Sequence, residues 1–580
     1  IPYDNLDEIK GLPHNIPKFA KAVVSICLRH VVSPAKEREA ATTLLARLAL
    51  RPDMQRLGLL NTLIDWAVSI IEPSDSGQQP APAYTYIGVL SFIARLATSG
   101  QGTDLAPVLL RLYNQTSRIA LEPNPLFEHI RSSASARKII IKILRTLTTA
   151  AMSLAEKGDP NVPEERVSSI LEESIDYFLV ALSDKDTPVR MAASKALAVV
   201  TLKLDVDMAA EVVEAVIGSL DENILYEKSD GTLVPASEAQ GQRLKPNLSA
   251  VDAQRWHGLI LTLSHLLFRR APPPRQLPMI LRSLVSALNF EQRSPTGSPI
   301  GTNVRDAACF GIWSLARKYT TQELEAVDTS SMVVPTEQVS GSVLQMLAVE
   351  LVCSACVDPS GNIRRGASAA LQELIGRHPN TIVEGIRLVQ VVDYTAVARR
   401  SKAMTAVASA AASLDELYWN PLVNSLLFWK GIGSFDADSR RSAATALATL
   451  SKNGTYRTIG VVLERLRSRL AEIPRNDLET RHGCLLAIAE TVSFYIAHRD
   501  SPDENNAERD AVFDVVVKLW EIFTSSEGPS YEELTMWTSR SEFIAEASSR
   551  LIASLSRAIR AIGNGKEVPR ELVNKSVDVL

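Results

Sequence analysis

The chain has 580 residues, 46% of them hydrophobic and 22% charged, with 62 Lys and Arg against 66 Asp and Glu for a net charge of −4. That length exceeds what one hydrophobic core supports and calls for several domains or a repeat array. The apolar content excludes disorder, the lack of any long uncharged run argues against a membrane span, and without a basic excess or stripe neither nucleic acid nor a membrane surface is an expected partner.

Five cysteines (Cys27, Cys309, Cys353, Cys356, Cys484) are sparse and odd in number, which favours a reducing, cytoplasmic setting over a disulfide framework. The chain opens on Ile1 without Met and stops after a helical pattern, so a fragment of a longer protein is expected.

In chain order, the first predicted helix pair is Ala20–His30 with Glu37–Leu50, where Arg38, Ala40 and Ala41 begin a faint version of a pattern that recurs later. The pattern is an acidic or polar turn, then Arg, then a helix start rich in Ala. Its clearest copy has Asp184 and Arg190 followed by Met191-Ala192-Ala193. The next runs Gly301-Thr302-Asn303-Val304-Arg305-Asp306-Ala307-Ala308, a third has Asp358 and Arg364, and a fourth has Asp436 and Arg440. Weaker copies lie at Arg255-Trp256-His257-Gly258 and Arg481-His482-Gly483. A second pair, Val343–Cys356 with Arg364–Gly376, fits between copies.

A recurring start of this kind is the signature of stacked helical hairpins. The Asp is expected to cap the helix that follows, and in two copies, Asp184 with Arg190 and Asp358 with Arg364, the Arg six residues on is expected to reach the Asp of an adjacent repeat. Small residues after the Arg let helices approach closely, and Leu and Ile at three- and four-residue spacing fill the shared core. The expected fold is therefore all-α, a HEAT/armadillo-type α-solenoid, read as one continuous array over residues 1–580. Glu222–Ala250 is too long and polar for a turn and is expected as a flexible insertion loop.

Motifs for chemistry are missing. Cys353 and Cys356 form a lone CxxC with no second ligand pair, so they read as buried thiols. No HExxH pair, nucleophile elbow or phosphate loop occurs. His257 and His482 hold the same place in two repeat copies, which points to packing rather than catalysis. No catalytic residue, cofactor or metal is expected, and the chain reads as a scaffold, not an enzyme. None of the seven Trp has Asn four positions later, which removes the ladder of the armadillo carriers of basic nuclear cargo. Trp419 and Trp429, near Pro421 and Gly431, are the expected exposed anchors.

Three runs resemble one family, the tubulin-folding cofactor D (tubulin-specific chaperone D) proteins. They are Asp184 through Lys195, Gly301 through Cys309 continuing to Trp313 and Tyr319, and Asp393-Tyr394-Thr395-Ala396-Val397-Ala398-Arg399-Arg400-Ser401. Arg51-Pro52-Asp53, Trp256-His257-Gly258 and Arg481-His482-Gly483 extend the likeness in the family's order, although Ala398-Arg399 replaces the family's Val-Gly-Asn. The resemblance implies a central fragment that binds β-tubulin. It also implies assembly with tubulin cofactors C and E and an Arf-like small GTPase to build or dissociate the αβ-tubulin heterodimer, at the microtubule cytoskeleton. GTPase stimulation belongs to that assembly, not to this chain. The loops near Asp393, Tyr394 and Arg400, with Trp419 and Trp429, are the expected partner-binding residues. The alternative is a different scaffold of the same class, such as a transport receptor or a phosphatase scaffold subunit.

Overall fold

The computed structural model describes residues 12–72, 80–100, 102–228, 231–239, 244–294, 296–328, 341–452, 456–498, 506–523, 528–535, 541–562, 570 and 574. They form helices joined by short turns, with two small sheets. The Lys18–Val31 helix shows the rule for the first helix of a pair: Ala20, Val24, Cys27, Leu28 and Val31 are its buried residues, spaced to make one stripe. Second helices lie between neighbours and bury more of their surface. In Ala253–Arg269 every residue from Trp256 to Ser264 is buried. The Val343–Val357 helix is buried at every position.

The chain divides into two compact units, Ile1–Leu220 with Gln254–Pro273, and Asp221–Ala253 with Pro274–Leu580. In the first unit, Lys18–Val31 packs on Arg38–Ala49, Leu59–Ile71 on Ala83–Ser99, Gly102–Leu121 on Ala134–Ala155, and Glu164–Ala181 on Thr187–Thr201. The second helices Arg38–Ala49, Ala83–Ser99, Ala134–Ala155 and Thr187–Thr201 stack in succession, so each pair buries its open face on the next. The second unit repeats the scheme. Leu277–Leu288 packs on Thr302–Lys318, and Val343–Val357 on Gly361–Arg377. Tyr456–Glu472 packs on Leu478–Ala497, and Asn506–Trp520 on Ser541–Ile562. Ala403–Val407 is a π-helical turn that runs into Ala408–Ala412. The all-α solenoid read from the repeats is the fold observed.

The structure differs at Glu222–Ala250. Where a flexible loop was expected, strands β1 (Leu225–Glu227), β2 (Leu233–Pro235) and β3 (Lys245–Asn247) form an antiparallel sheet in the order β2-β1-β3. Tyr226 lies opposite both the buried Val234 and Pro246. A second hairpin pairs β4 (Gln292–Arg293) with β5 (Pro299–Ile300). It inserts between Leu277–Leu288 and the marker helix Thr302–Lys318, and Gly301, at φ 98°, makes the turn into that helix.

Close stacking of second helices depends on glycines, of which Gly258 and Gly483 are two. A Cβ on Gly258 lies 2.2 Å from the carbonyl oxygen of Leu182, and one on Gly483 lies 2.0 Å from that of Ile432. Both obstacles are backbone of the preceding pair, so relief requires moving a whole turn. Gly258→Ala and Gly483→Ala are each expected to destabilise the chain by about 2 kcal/mol or more, read as a lower midpoint in urea unfolding.

Candidate partner-binding site

A scaffold's surface is set by what fixes its turns, and here that is a series of buried guanidinium groups. Arg190, Arg305, Arg364, Arg440 and Arg481 are all at most 3% exposed. Each stands in the first turn of its helix, where the chain has just left the preceding turn. One nitrogen of the fork reaches back. Arg190 Nη1 donates to the Asp184 carbonyl at 2.5 Å, Arg364 Nη1 to that of Asp358 at 2.8 Å, and Arg440 Nη1 to that of Ser434 at 2.8 Å. All three acceptors lie six residues upstream. Arg305 Nη1 reaches Phe290 instead, at 3.1 Å, across the inserted hairpin.

The rest of the fork reaches forward to the next pair. Arg190 Nε donates to His257 Nδ1 and Arg440 Nε to His482 Nδ1, each at 2.9 Å. Arg305 Nε stands 2.9 Å from Asp358 Oδ2, and Arg481 Nε 3.1 Å from Glu533 Oε1. Arg364 Nε donates to the Val397 carbonyl at 2.8 Å. Only the forked, permanently charged guanidinium satisfies two turns at once.

Two further members escaped the sequence reading. Arg137 binds Asp184 through Nε at 2.7 Å and Nη2 at 3.0 Å, and its Nη1 donates to the Arg131 carbonyl at 2.6 Å, again six residues upstream. Arg400, expected to bind a partner, instead donates to the Lys430 carbonyl at 2.9 Å and to the hydroxyls of Ser434 and Ser439. Burial pushes its guanidinium down to about 10.

The reach from Arg to the Asp of an adjacent repeat is therefore present in Arg137–Asp184 and Arg305–Asp358. The capping role is divided. Asp436 accepts from the Ser439 amide at 2.9 Å and caps its helix. Asp184 and Asp358 accept from the amides of Asp186 and Ser360, two residues on, and shape the turn before the helix.

His257 and His482 have the packing role expected of them. Because each accepts from an arginine through Nδ1, each is neutral. Burial first and the arginine charge second push both down to about 4.

In the second unit these turns border a cleft of about 120 Å³, lined by Arg293, Pro299, Pro359, Arg400, Trp429 and Phe435 among others. Arg293 donates to the Gly433 carbonyl at 2.9 Å, which holds the β4–β5 hairpin against the 428–436 turn. Beneath it Lys430 is buried and donates to the Leu288 carbonyl and to Asn289 Oδ1 at 2.9 Å, and burial lowers its pKa. The Arg305 guanidinium lies 5.1 Å from the Trp429 ring. The faces of Trp429 and Phe435 with two prolines suit an apolar side chain. No group of His, Cys, Asp and Glu able to hold a metal occurs among the described residues.

Of the expected partner-binding residues, the structure brings Arg400 and Trp429 to this cleft. Tyr394 is 51% exposed, with Arg365 5.6 Å from its ring. Asp393 is occupied locally by the amide and hydroxyl of Thr395. Trp419 is not an exposed anchor: it is 9% exposed and its indole N–H donates to the Leu450 carbonyl at 2.9 Å. The neighbouring Pro421, on which the expectation leaned, lies within the Glu416–Leu426 helix.

The family described as "Tubulin-specific chaperone D-like, ARM repeats" matches residues 131–244 and 236–386. The chain is 23% identical over 525 residues to the tubulin-specific chaperone D of Dictyostelium discoideum, covering 83% of this chain and 32% of that protein. It is 29% identical over 238 residues to the tubulin-folding cofactor D of Schizosaccharomyces pombe, covering 41% of this chain and 19% of the relative. The chain thus spans a third or less of these relatives' length. Among solved structures, Kap95p with RanGDP aligns over 96% of this chain and 70% of its own at 13% identity and a TM-score of 0.37. The karyopherin Kap121p aligns over 93% and 54% at 12% identity and the same TM-score of 0.37. The likeness read from the Gly301–Cys309 run is borne out: residues 131–386 are similar to the tubulin-specific chaperone D-like repeats.

Two outcomes follow for the buried arginines and histidines. Arg440→Ala strands the Ser434 and Phe435 carbonyls and the His482 ring, and is expected to cost roughly 3 kcal/mol. Arg440→Lys does not restore it, because an ammonium cannot span both turns, and denaturant midpoints measure both. For the histidines, the unfolded chain takes up protons near pH 6.5 while the fold resists to about 4. Their stability contribution is full above about pH 6.5 and is lost as pH falls through that window. The double variant His257→Gln with His482→Gln is expected to flatten the melting temperature against pH across the window.

Proposed function

We propose that this chain, whose residues 131–386 are similar to the tubulin-specific chaperone D-like repeats, acts as a tubulin-folding cofactor: a scaffold that binds β-tubulin and serves the assembly or dissociation of the αβ-tubulin heterodimer. The observation that carries the reading is the likeness to a tubulin-specific chaperone D over 83% of the chain, together with the Arg305 and Arg190 runs that lie inside the matched region. The repeats contribute a rigid surface on which a partner subunit is held.

The further partners in this proposal are tubulin cofactors C and E and an Arf-like small GTPase, and the site of action is the cytoplasm at the microtubule cytoskeleton. No helix among the described residues is long and apolar enough to cross a membrane. The role is that of a non-catalytic platform. For partner contact we favour exposed Tyr394 and the cleft at Trp429 and Phe435, where an aromatic side chain is already presented to solvent. Arg400 and Trp419 serve the fold instead.

Size-exclusion chromatography of the full-length protein with αβ-tubulin, cofactor E and the GTPase tests this. Co-migration is expected, and Tyr394→Ala with Phe435→Ala is expected to weaken it by about tenfold. Failure of the intact protein to co-migrate under those conditions overturns the reading.

A further inference from the structure

The second helices of the first unit carry an asymmetry that the net charge hides. Ala83–Ser99, Ala134–Ala155, Thr187–Thr201 and Ala253–Arg269 contain no Asp or Glu at all. Their acidic counterparts lie on first helices: Glu164, Glu165, Glu172, Glu173 and Asp176 on one, Asp207, Glu211 and Glu214 on another.

The basic residues of the acid-free helices share a face. Lys138, Lys142 and Arg145 follow at spacings of four and three, one stripe of the Ala134–Ala155 helix. Arg145 lies close enough to Arg269 to disfavour its charge, and Lys142 feels Arg145, Arg95 and Lys138 in the same way. Lys195, on Thr187–Thr201, acts likewise on His265, one turn before Arg269. Lys142, Arg145 and Arg269 are partly buried, and burial lowers the pKa of each. Yet among the described residues no carboxylate stands within ion-pair distance of Lys138, Lys142, Arg145, Lys195 or Arg269. Glu39, paired to Arg95 at 2.5 Å, bounds the face at one end. Apolar side chains flank it: Met191 is 52% exposed, four residues before Lys195, and Leu202, 51% exposed, is seven after.

Elsewhere this chain gives its buried cations fixed acceptors, as it gives Arg269 the His265 carbonyl at 3.0 Å, but among the described residues this face holds no carboxylate to balance the charge. Three half-buried cations, Lys142, Arg145 and Arg269, beside the exposed Lys138 and Lys195 and without carboxylates cost free energy in the isolated molecule, and the cost is returned when an anionic ligand supplies the missing countercharge. The depth of the cations suits carboxylates on flexible side chains, and Met191 and Leu202 add apolar contact that a phosphate backbone does not use. The acidic first helices and the net charge of −4 oppose an extended polyanion.

We propose that the face carrying Lys138, Lys142, Arg145, Lys195 and Arg269 is a docking surface for an acidic polypeptide segment of a protein partner, one that also carries apolar side chains. The inference stands apart from the tubulin reading, since the face exists whichever protein supplies the segment.

Fluorescence anisotropy of the full chain with a labelled peptide of repeating Glu-Glu-Gly-Glu-Phe tests it. Binding that weakens with added salt is expected. The triple variant Lys142→Gln, Arg145→Gln, Lys195→Gln is expected to lose about tenfold or more in affinity, with a melting temperature unchanged or raised because the uncompensated charges are gone. Arg145→Lys keeps the charge and retains most of the binding, which guards against a folding defect in the triple variant. Arg557→Gln with Arg560→Gln, on an exposed face of Ser541–Ile562, leaves affinity within about twofold. The proposal is overturned if the peptide fails to bind, if its affinity is indifferent to the triple variant, or if Arg145→Lys falls as far as Arg145→Gln. It is also overturned if a single-stranded oligonucleotide or a phosphatidylserine vesicle binds this face more tightly than the peptide.

Discussion

A guanidinium group taken out of water needs acceptors on all its edges, and in this chain those acceptors come from two different turns. That requirement determines much of the rest. The back-reaching bond fixes where the preceding turn ends relative to the helix start, and the forward bond fixes where the next pair sits. The Asx turns at Asp184 and Asp358 and the inserted hairpin before Arg305 present the backward acceptor, and the neutral imidazoles of His257 and His482 present the forward one. Helix packing supplies the bulk of the stability, but it is nearly non-directional. The arginines supply the register.

Satisfied and unsatisfied cations therefore mean different things in this molecule. Arg440 is fully buried and answered by two carbonyls and an imidazole, so it belongs to the interior even though its sequence neighbourhood is a loop. Arg145 is half-buried and meets other cations. The cleft at Trp429 falls between these cases. It opens where the β4–β5 hairpin displaces the usual turn, so its floor is framework and its rim is surface.

The helix pairs were legible because their periodicity and their Ala-rich starts are local. The pairs read near residues 20–50 and 343–376 appear as Lys18–Val31 with Arg38–Ala49 and Val343–Val357 with Gly361–Arg377. Arg137 and Arg400 were not recognised as repeat markers because neither is followed directly by a run of small residues, Lys138-Ile139-Ile140 standing after one and Ser401-Lys402 after the other, and Arg400 enters a short helix leading to a π turn in place of an Ala-rich α-helix. The small sheet at 225–247 was read as a loop because three-residue strands containing Glu, Lys and two prolines carry no alternating pattern. The basic face escaped notice for another reason. Its charges are spread over helices more than a hundred residues apart in sequence and are cancelled in any overall count by the acidic first helices. The partner-binding residues were least legible of all, since the same Trp or Arg types serve interior and surface alike.

The forward bonds share one direction along the chain. Arg364 finds its acceptor 33 residues later and Arg190 its acceptor 67 residues later, and Arg305, Arg440 and Arg481 also look downstream. A nascent chain emerging N-terminus first that has just completed one of these marker pairs thus ends in a charged fork with half its acceptors still unmade. Each newly completed pair closes the one before it and opens the same deficit in itself. The array is built like a zip whose slider is the next translated repeat, and a stalled chain exposes a hydrated, unlatched pair at its growing end.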